Sequence, residues 1–394
     1  MSKKILVISP IPSHPQNAGN RARVYSLFLN LKEMGHDVYF LHIQKETGDE
    51  ESMQSSWGNN FYSIPYQKPK TAKKQYPKRL SQKIIRKIQS FIFSDPLFTY
   101  SIDDWYDDSV NEKIINISNQ ISPHVVIVEY VFFSKALELF DKNIIKIIDT
   151  HDKFTDRYKL YQKKGKNPRW YSTTSKQEIK GLSRADVILS IQQKETNWFS
   201  KRLKKQQIVT VGHLVKLHSN NSNELKNTIL FVGSKNPINV DGINYFIKQV
   251  FPDLKSKFKN LKLILAGDVC EEVEDFKDCI KLGRVENLKD AYQLADIVIS
   301  PVLFGTGLKI KNIEALGYSK PLVTTSVGAE GMEEAANKAF LIANSPLEFV
   351  DAITKIFSDI ELYKNLSQNA YNFAKKWNKS CLKILGDALN KTSQ

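Results

Sequence analysis

The chain has 394 residues, enough for two domains of ordinary size. Lys and Arg number 57 against 42 Asp and Glu, a formal charge of +15, and 41% of residues are apolar. That balance excludes disordered and collagen-like classes, and no apolar run reaches the ~18 residues a membrane span needs.

In chain order, Ile5 to Ile8 reads as a buried first strand, too short for the core of a signal peptide. A loop rich in Pro, Ser, Asn and Gly follows from Pro10 to Asn20. Val24, Leu27, Phe28, Leu31 and Met34 then recur at helical spacing, with Gly35 placed as a left-handed C-cap. Val38 to Ile43 completes a βαβ unit. From Ser52 to Ser94 there is no Asp or Glu, while Lys68, Lys70, Lys73, Lys74, Lys78, Arg79, Lys83, Arg86 and Lys87 crowd together. Ile84, Ile85, Ile88, Phe91 and Ile92 share one side of that segment. It reads either as an ordinary packed helix with a solvated face or as one that lies on an anionic membrane through residues 68–92. The acidic run Asp103-Asp-Trp-Tyr-Asp-Asp suits a helix start, and no metal is expected there.

Further strands are expected at Val125–Val128, Ile144–Ile148, Val187–Ile191 and Ile208–Val211. Lys153 to Tyr171, basic and aromatic, reads as a mobile loop for an acceptor, its rings stacking on sugars. The polar stretch 217–227 reads as a linker between an N-terminal domain, 1–216, and a C-terminal one, 228–375. A helix over 376–394 is expected to pack back towards the first domain. In the second domain Ile229–Val232, Leu261–Ala266, Ile297–Ser300 and Leu322–Thr325 read as strands, alternating with helices at Val240–Val250, Leu288–Leu294 and Ile310–Leu316. Arg184-Ala-Asp-Val-Ile-Leu-Ser echoes Leu294-Ala-Asp-Ile-Val-Ile-Ser, which fits two doubly wound α/β domains facing a central cleft. Cys270, Cys279 and Cys381 form no CxxC pair, so a cysteine zinc site and a disulfide framework are not expected, and a cytoplasmic setting is.

The stretch richest in chemistry runs from Ser300 to Thr325. Gly305-Thr306-Gly307 makes a tight loop between a buried strand and a helix beginning near Leu308. Free N–H groups at that helix start, with Lys309 and Lys311 beside them, suit a diphosphate leaving with negative charge. Glu314 is an acceptor for sugar hydroxyls; the plainer alternative is a solvated helix surface. His151, in Asp149-Thr-His-Asp, follows a strand end. It reads as a structural histidine or as a group that bonds a sugar, its tautomer fixed by Asp149 or Asp152.

These segments resemble a known family: Phe231-Val-Gly-Ser, Asn239-Val-Asp-Gly, Leu263-Ile-Leu-Ala-Gly-Asp, Leu282-Gly-Arg-Val, Ala295-Asp-Ile-Val-Ile-Ser-Pro, Gly305-Thr-Gly-Leu-Lys-Ile-Lys, Glu314-Ala-Leu-Gly and Val327-Gly-Ala-Glu-Gly. In that order they look like the retaining glycosyltransferases of the GT-B fold, the group-4-like family that builds bacterial surface glycans. The resemblance implies a sugar moved from a nucleotide-diphosphate sugar to an acceptor hydroxyl, with no cofactor and no metal. It places His151 and Asp152 at the reacting sugar. It places Gly19, Gly233, Ser234, Arg284, Val285, Gly305, Thr306, Gly307, Leu308, Lys309 and Glu314 on the donor, and Asn20 and Arg21 on the acceptor or a phosphate. Thr306 stands where the family's first Glu falls, a departure in how the sugar is gripped. The implied acceptor is a glycan or a lipid-linked glycan, at the inner face of the cell membrane, and not nucleic acid. The alternatives are a nucleic-acid-binding or DNA-modifying glycosyltransferase, and a nucleotide-sugar epimerase of the same fold.

Overall fold

A computed structural model describes residues 2–67, 98–168, 170–219, 224–285 and 287–390. The basic segment 68–92, Arg169 and residues 220–223 of the expected linker therefore lie outside the described residues, apart from the linker's ends. The chain divides into two compact units, Met1–Pro15 with Leu27–Val211 and Ile384–Gln394, and Gln16–Ser26 with Gly212–Lys383.

The first unit is built on a seven-stranded sheet with all pairings parallel. Its strands are β1 (Lys4–Ser9), β2 (Asp37–Ile43), β3 (Phe61–Ile64), β4 (Val125–Glu129), β5 (Ile145–Asp149), β6 (Val187–Ser190) and β7 (Gln207–Thr210), in the order 3-2-1-4-5-6-7. The central strands carry near-continuous apolar runs because a parallel sheet is covered on both faces; β4, polar only at its last residue Glu129, is buried along its whole length. Helices α1 (Gly19–Glu33, its residues up to Ser26 counted in the second unit), α2 (Glu50–Trp57), α3 (Asn111–Ile121), α4 (Tyr158–Lys163), α5 (Ser175–Leu182) and α6 (Gln193–Ser200) connect them. Gly35, at φ 87°, ends α1 as its spacing predicts.

The second unit carries a parallel six-stranded sheet of β8 (Thr228–Val232), β9 (Lys262–Ala266), β10 (Cys279–Gly283), β11 (Ile297–Ser300), β12 (Leu322–Thr324) and β13 (Leu341–Ile342), in the order 10-9-8-11-12-13. Its helices are α7 (Pro237–Gln249), α8 (Phe251–Lys257), α9 (Leu288–Gln293), α10 (Ile310–Gly317), α11 (Pro346–Ser358) and α12 (Ile360–Leu389), the last of which continues into the first unit. Asn236 caps α7 on the Asn239 N–H and Ser345 caps α11 on that of Glu348, each with Pro in the first turn.

The repeated Ala-Asp echo has one physical meaning in both sheets. Asp186, just before β6, accepts from Lys146 N at 2.9 Å; Asp296, just before β11, accepts from Thr228 N at 2.9 Å. Each carboxylate satisfies an N–H at the start of a neighbouring strand. In both sheets strand order reverses beside the first strand, between β1 and β4 and between β8 and β11. Doubly wound sheets bind ligands at such reversal points, outside the carboxyl ends of the strands. Gly212 to Lys216 belongs to the second unit: Trp377 Nε1 donates to His213 O at 2.9 Å, and Asn378 Oδ1 accepts from Val215 N at 3.1 Å.

Candidate active site

At the β8–β11 reversal, three loops meet. Gly233 and Ser234 follow β8, Gly267 follows β9, and Gly305 to Gly307 follow β11. Val269 N donates to Gly233 O at 3.1 Å, and Gly267 N to Gly283 O at 2.6 Å, so the Arg284–Val285 segment joins the same cluster. Gly267, at φ 94°, has no room for a side chain: a Cβ there would come 2.4 Å from Gly233 O.

Ser234 is fixed by Asn239, whose Nδ2 donates to Ser234 O at 3.0 Å. Asn239 Oδ1 in turn accepts from Lys311 Nζ at 2.8 Å, and that ammonium sits 4.2 Å from the centre of the Phe231 ring. Burial, with Lys309 nearby, brings the Lys311 ammonium down to about 7. Gly305 and Gly307 take φ of 138° and 74°, and Lys309, the N-cap of α10, folds its ammonium back on Thr306 O and Gly307 O at 3.0 and 2.8 Å. Leu308 is buried. Lys309 thus stiffens the loop that precedes the helix, while Lys311 is the cation wired to Ser234. Gly19, at the start of α1, belongs to this unit, and a Cβ there would stand 3.3 Å from Ile310 Cδ1. Asn20 Oδ1 accepts from Arg21 N at 3.0 Å. The Arg284 guanidinium grips Asp268, with Nη2 to Oδ2 at 3.1 Å, so its charge faces that carboxylate. Glu314 lies 3.5 Å from Nε2 of the buried His213, a residue sequence reasoning did not single out. Asn312, buried on the same helix, donates to Gly328 O at 2.8 Å and so ties in the Val327–Gly331 loop.

The first unit holds a second cluster. Parallel register sets Glu129, the last residue of β4, beside Asp149, the last of β5. His151 follows at φ 59°, its ring stacked 4.0 Å from that of Tyr130, which itself has φ 68°. Non-glycine residues in this region are strained, and such strain gathers at functional sites. His151 Nε2 is hydrogen-bonded to Glu129 Oε2 and lies 3.6 Å from Asp149 Oδ2, all three side chains being buried. Their ligand atoms fall within 4.8 Å of one another, a spacing a cation could also span. Asp152 is turned elsewhere, accepting from Lys153 N at 2.9 Å and lying 3.4 Å from Arg157. The partner of His151 is therefore Glu129, twenty-two residues upstream, with Asp149 beside it. Two more buried acids hold this loop. Glu178 accepts from Phe154 N and Thr155 N at 2.8 and 2.7 Å, and burial pushes it up to about 7. Burial, then Asp152, pushes Glu195 well above the usual carboxyl range.

Of the rings expected on a mobile acceptor loop, Trp170 is exposed but the three tyrosines are packed. Tyr158 and Tyr161 lie on α4, and with Tyr171 they are buried in the core. Their ring area is worth more packed than waiting for a sugar. The acidic run is also spoken for: Asp103 pairs with Arg184 at 2.6 Å, Asp107 caps Ser109 N at 3.0 Å, and Asp108 meets Lys135 at 2.6 Å.

Residues 226–359 match the family model for glycosyl transferases group 1. Residues 226–359 thus form a glycosyl transferases group 1 domain. A 44.6 kDa uncharacterized protein of the cps region of Klebsiella pneumoniae is 25% identical over 94% of this chain and 95% of its own length. The chain also shares its GT-B fold with solved structures. S. aureus TarM, in complex with fondaparinux, α-GlcNAc-glycerol and UDP, superposes with a TM-score of 0.68 at 11% identity, covering 99% of this chain and all of that one. The pneumococcal O-GlcNAc transferase GtfA, in complex with UDP and GlcNAc, gives 0.65 at 9% identity over 98% of each. Among the described residues no helix is long and apolar enough to cross a membrane.

Proposed function

We propose that this glycosyltransferase moves a sugar, with retention, from a nucleotide-diphosphate sugar to a hydroxyl of a growing surface polysaccharide. The observation that carries the reading is the glycine loop at the N-terminus of α10, on the reversal point of the second sheet, with Lys311 wired through Asn239 to Ser234. Free amides at that helix start favour a diphosphate, and would stabilise it most as it leaves with full charge. Glu314, on the second turn of α10, accepts from the ribose hydroxyls. His151 bonds the transferred sugar.

The bond from sugar carbon 1 to the diphosphate oxygen breaks as the acceptor oxygen bonds to the same face. The acceptor proton passes to the departing phosphate oxygen. No carboxylate nucleophile and no metal are needed for that balance. The UDP held by TarM and GtfA favours a uridine donor, and the cps-region relative favours a polysaccharide or lipid-linked acceptor over nucleic acid.

The test is a thermal-shift comparison of UDP, GDP, ADP, CMP and dTDP. At 100 times its dissociation constant a ligand stabilises by ~2.7 kcal/mol, and UDP is expected to stand out. Glu314→Ala should weaken that shift, whereas His151→Ala should keep it and lose sugar transfer. If no nucleoside diphosphate moves the melting temperature, the donor reading fails.

A further inference from the structure

The buried pair at the ends of β4 and β5 calls for an explanation that the donor loops do not supply. Two carboxylates, Glu129 and Asp149, sit side by side in register and fully buried. Charges so placed are costly unless hydrogen-bonded or paired. His151 meets both through one nitrogen: Nε2 is bonded to Glu129 and lies 3.6 Å from Asp149. The imidazole is gripped from another direction as well, by the Tyr130 ring stacked 4.0 Å away. Two residues with positive φ, Tyr130 and His151, are spent to create this stack.

We propose that Glu129 is the positioning residue of His151. It accepts the Nε2 proton, fixes the ring against Tyr130, and leaves Nδ1 as the nitrogen presented to the sugar. Which nitrogen of a histidine works is set by the hydrogen bond the other one makes. Tyr130 supplies the flat face that keeps the ring from turning about its χ2 axis, and Asp149 adds a second negative wall beside the same nitrogen. The inference rests on the reading that His151 lies at the reacting sugar.

The test uses the full chain, with UDP-glucose and UDP-N-acetylglucosamine as probe donors and UDP release as the readout. It adds the proton-nitrogen spectrum of 15N-histidine-labelled protein. Glu129→Gln keeps the shape and removes the charge; Glu129→Leu removes the acceptor. Melting temperature controls for folding, and the UDP-induced shift, which depends on the donor loops of the other unit, should stay as in the parent. Glu129→Gln should lower kcat at least about tenfold with KM unchanged. The double variant Glu129→Gln, His151→Ala should be no slower than His151→Ala alone, since residues acting as one unit are not additive. The Nε2–H signal of His151, identified by its absence in His151→Ala, should vanish in Glu129→Leu.

Full activity in both Glu129 variants, or losses that multiply in the double variant, would overturn the assignment. Restoration of the Gln variant by added Mn2+ would do the same, because Glu129 would then be a metal ligand. If neither donor turns over, the spectrum decides alone: an unchanged His151 signal in Glu129→Leu refutes the hold on Nε2. A wild-type rate in His151→Ala would instead remove the underlying reading of His151.

Discussion

Replacing Lys311 with methionine keeps the apolar stem beside Phe231 and removes a buried ammonium. That ammonium falls from 10.5 in the unfolded chain to about 7 in the fold, through burial first and Lys309 second. The folded protein therefore binds fewer protons than the unfolded chain between those limits. The penalty is largest below about pH 7, shrinks as pH rises, and is gone above 10.5. At about 1.36 kcal/mol per pH unit it amounts to about 4 kcal/mol at pH 7. Methionine also forfeits the 2.8 Å bond to Asn239, worth about 1–2 kcal/mol. The net expectation is a gain of about 2–3 kcal/mol at neutral pH, or a melting temperature higher by roughly 2–4 °C for a chain of 394 residues. Calorimetric melts of both proteins from pH 7 to 10 check it, and the difference should narrow steadily as pH rises. A variant that melts lower at pH 7, or a gain that stays constant to pH 10, would refute the reasoning. On the proposed donor reading, the same substitution should also weaken UDP binding.

Two other substitutions test the geometry around this site and the acidic run. Gly267→Ala puts a methyl 2.4 Å from Gly233 O at a φ of 94°, so a loss of about 1–3 kcal/mol and a smaller UDP-induced thermal shift are expected; wild-type behaviour would mean the Gly233 loop is free to move. Asp103→Ala unpairs one side of the Arg184 fork, a cost of about 1–3 kcal/mol in denaturant melts. Mn2+ should leave the stability of both the parent and that variant unchanged.

The central strands are legible because their burial on both faces writes continuous apolar runs, as at Val125–Val128. The edge strands escape for the opposite reason. β3, Phe-Tyr-Ser-Ile, and β10, Cys-Ile-Lys-Leu-Gly, are only partly buried and show neither a run nor a clean alternation. The tight turn at Gly305 and Gly307 follows from composition. The direction of Lys309 does not, because a side chain folding back on two carbonyls depends on the loop's shape. Glu129 was hidden more deeply. In sequence it is the polar end of an apolar strand, and only the register of β4 against β5 brings it to His151. His213 was missed similarly, lying 101 residues from Glu314 with no motif to join them.

The discontinuity of the two units also orders their birth on the ribosome. The first unit, which holds the amino terminus, is unfinished until Ile384 onward has been made, whereas the second needs nothing beyond Lys383. Translation runs in one direction, so the half encoded mostly later can close first. The first unit must wait for the last turns of α12. A stop codon just after Lys383 would spare the set of residues that makes up the second unit and rob the first of Leu385 and Leu389, both buried.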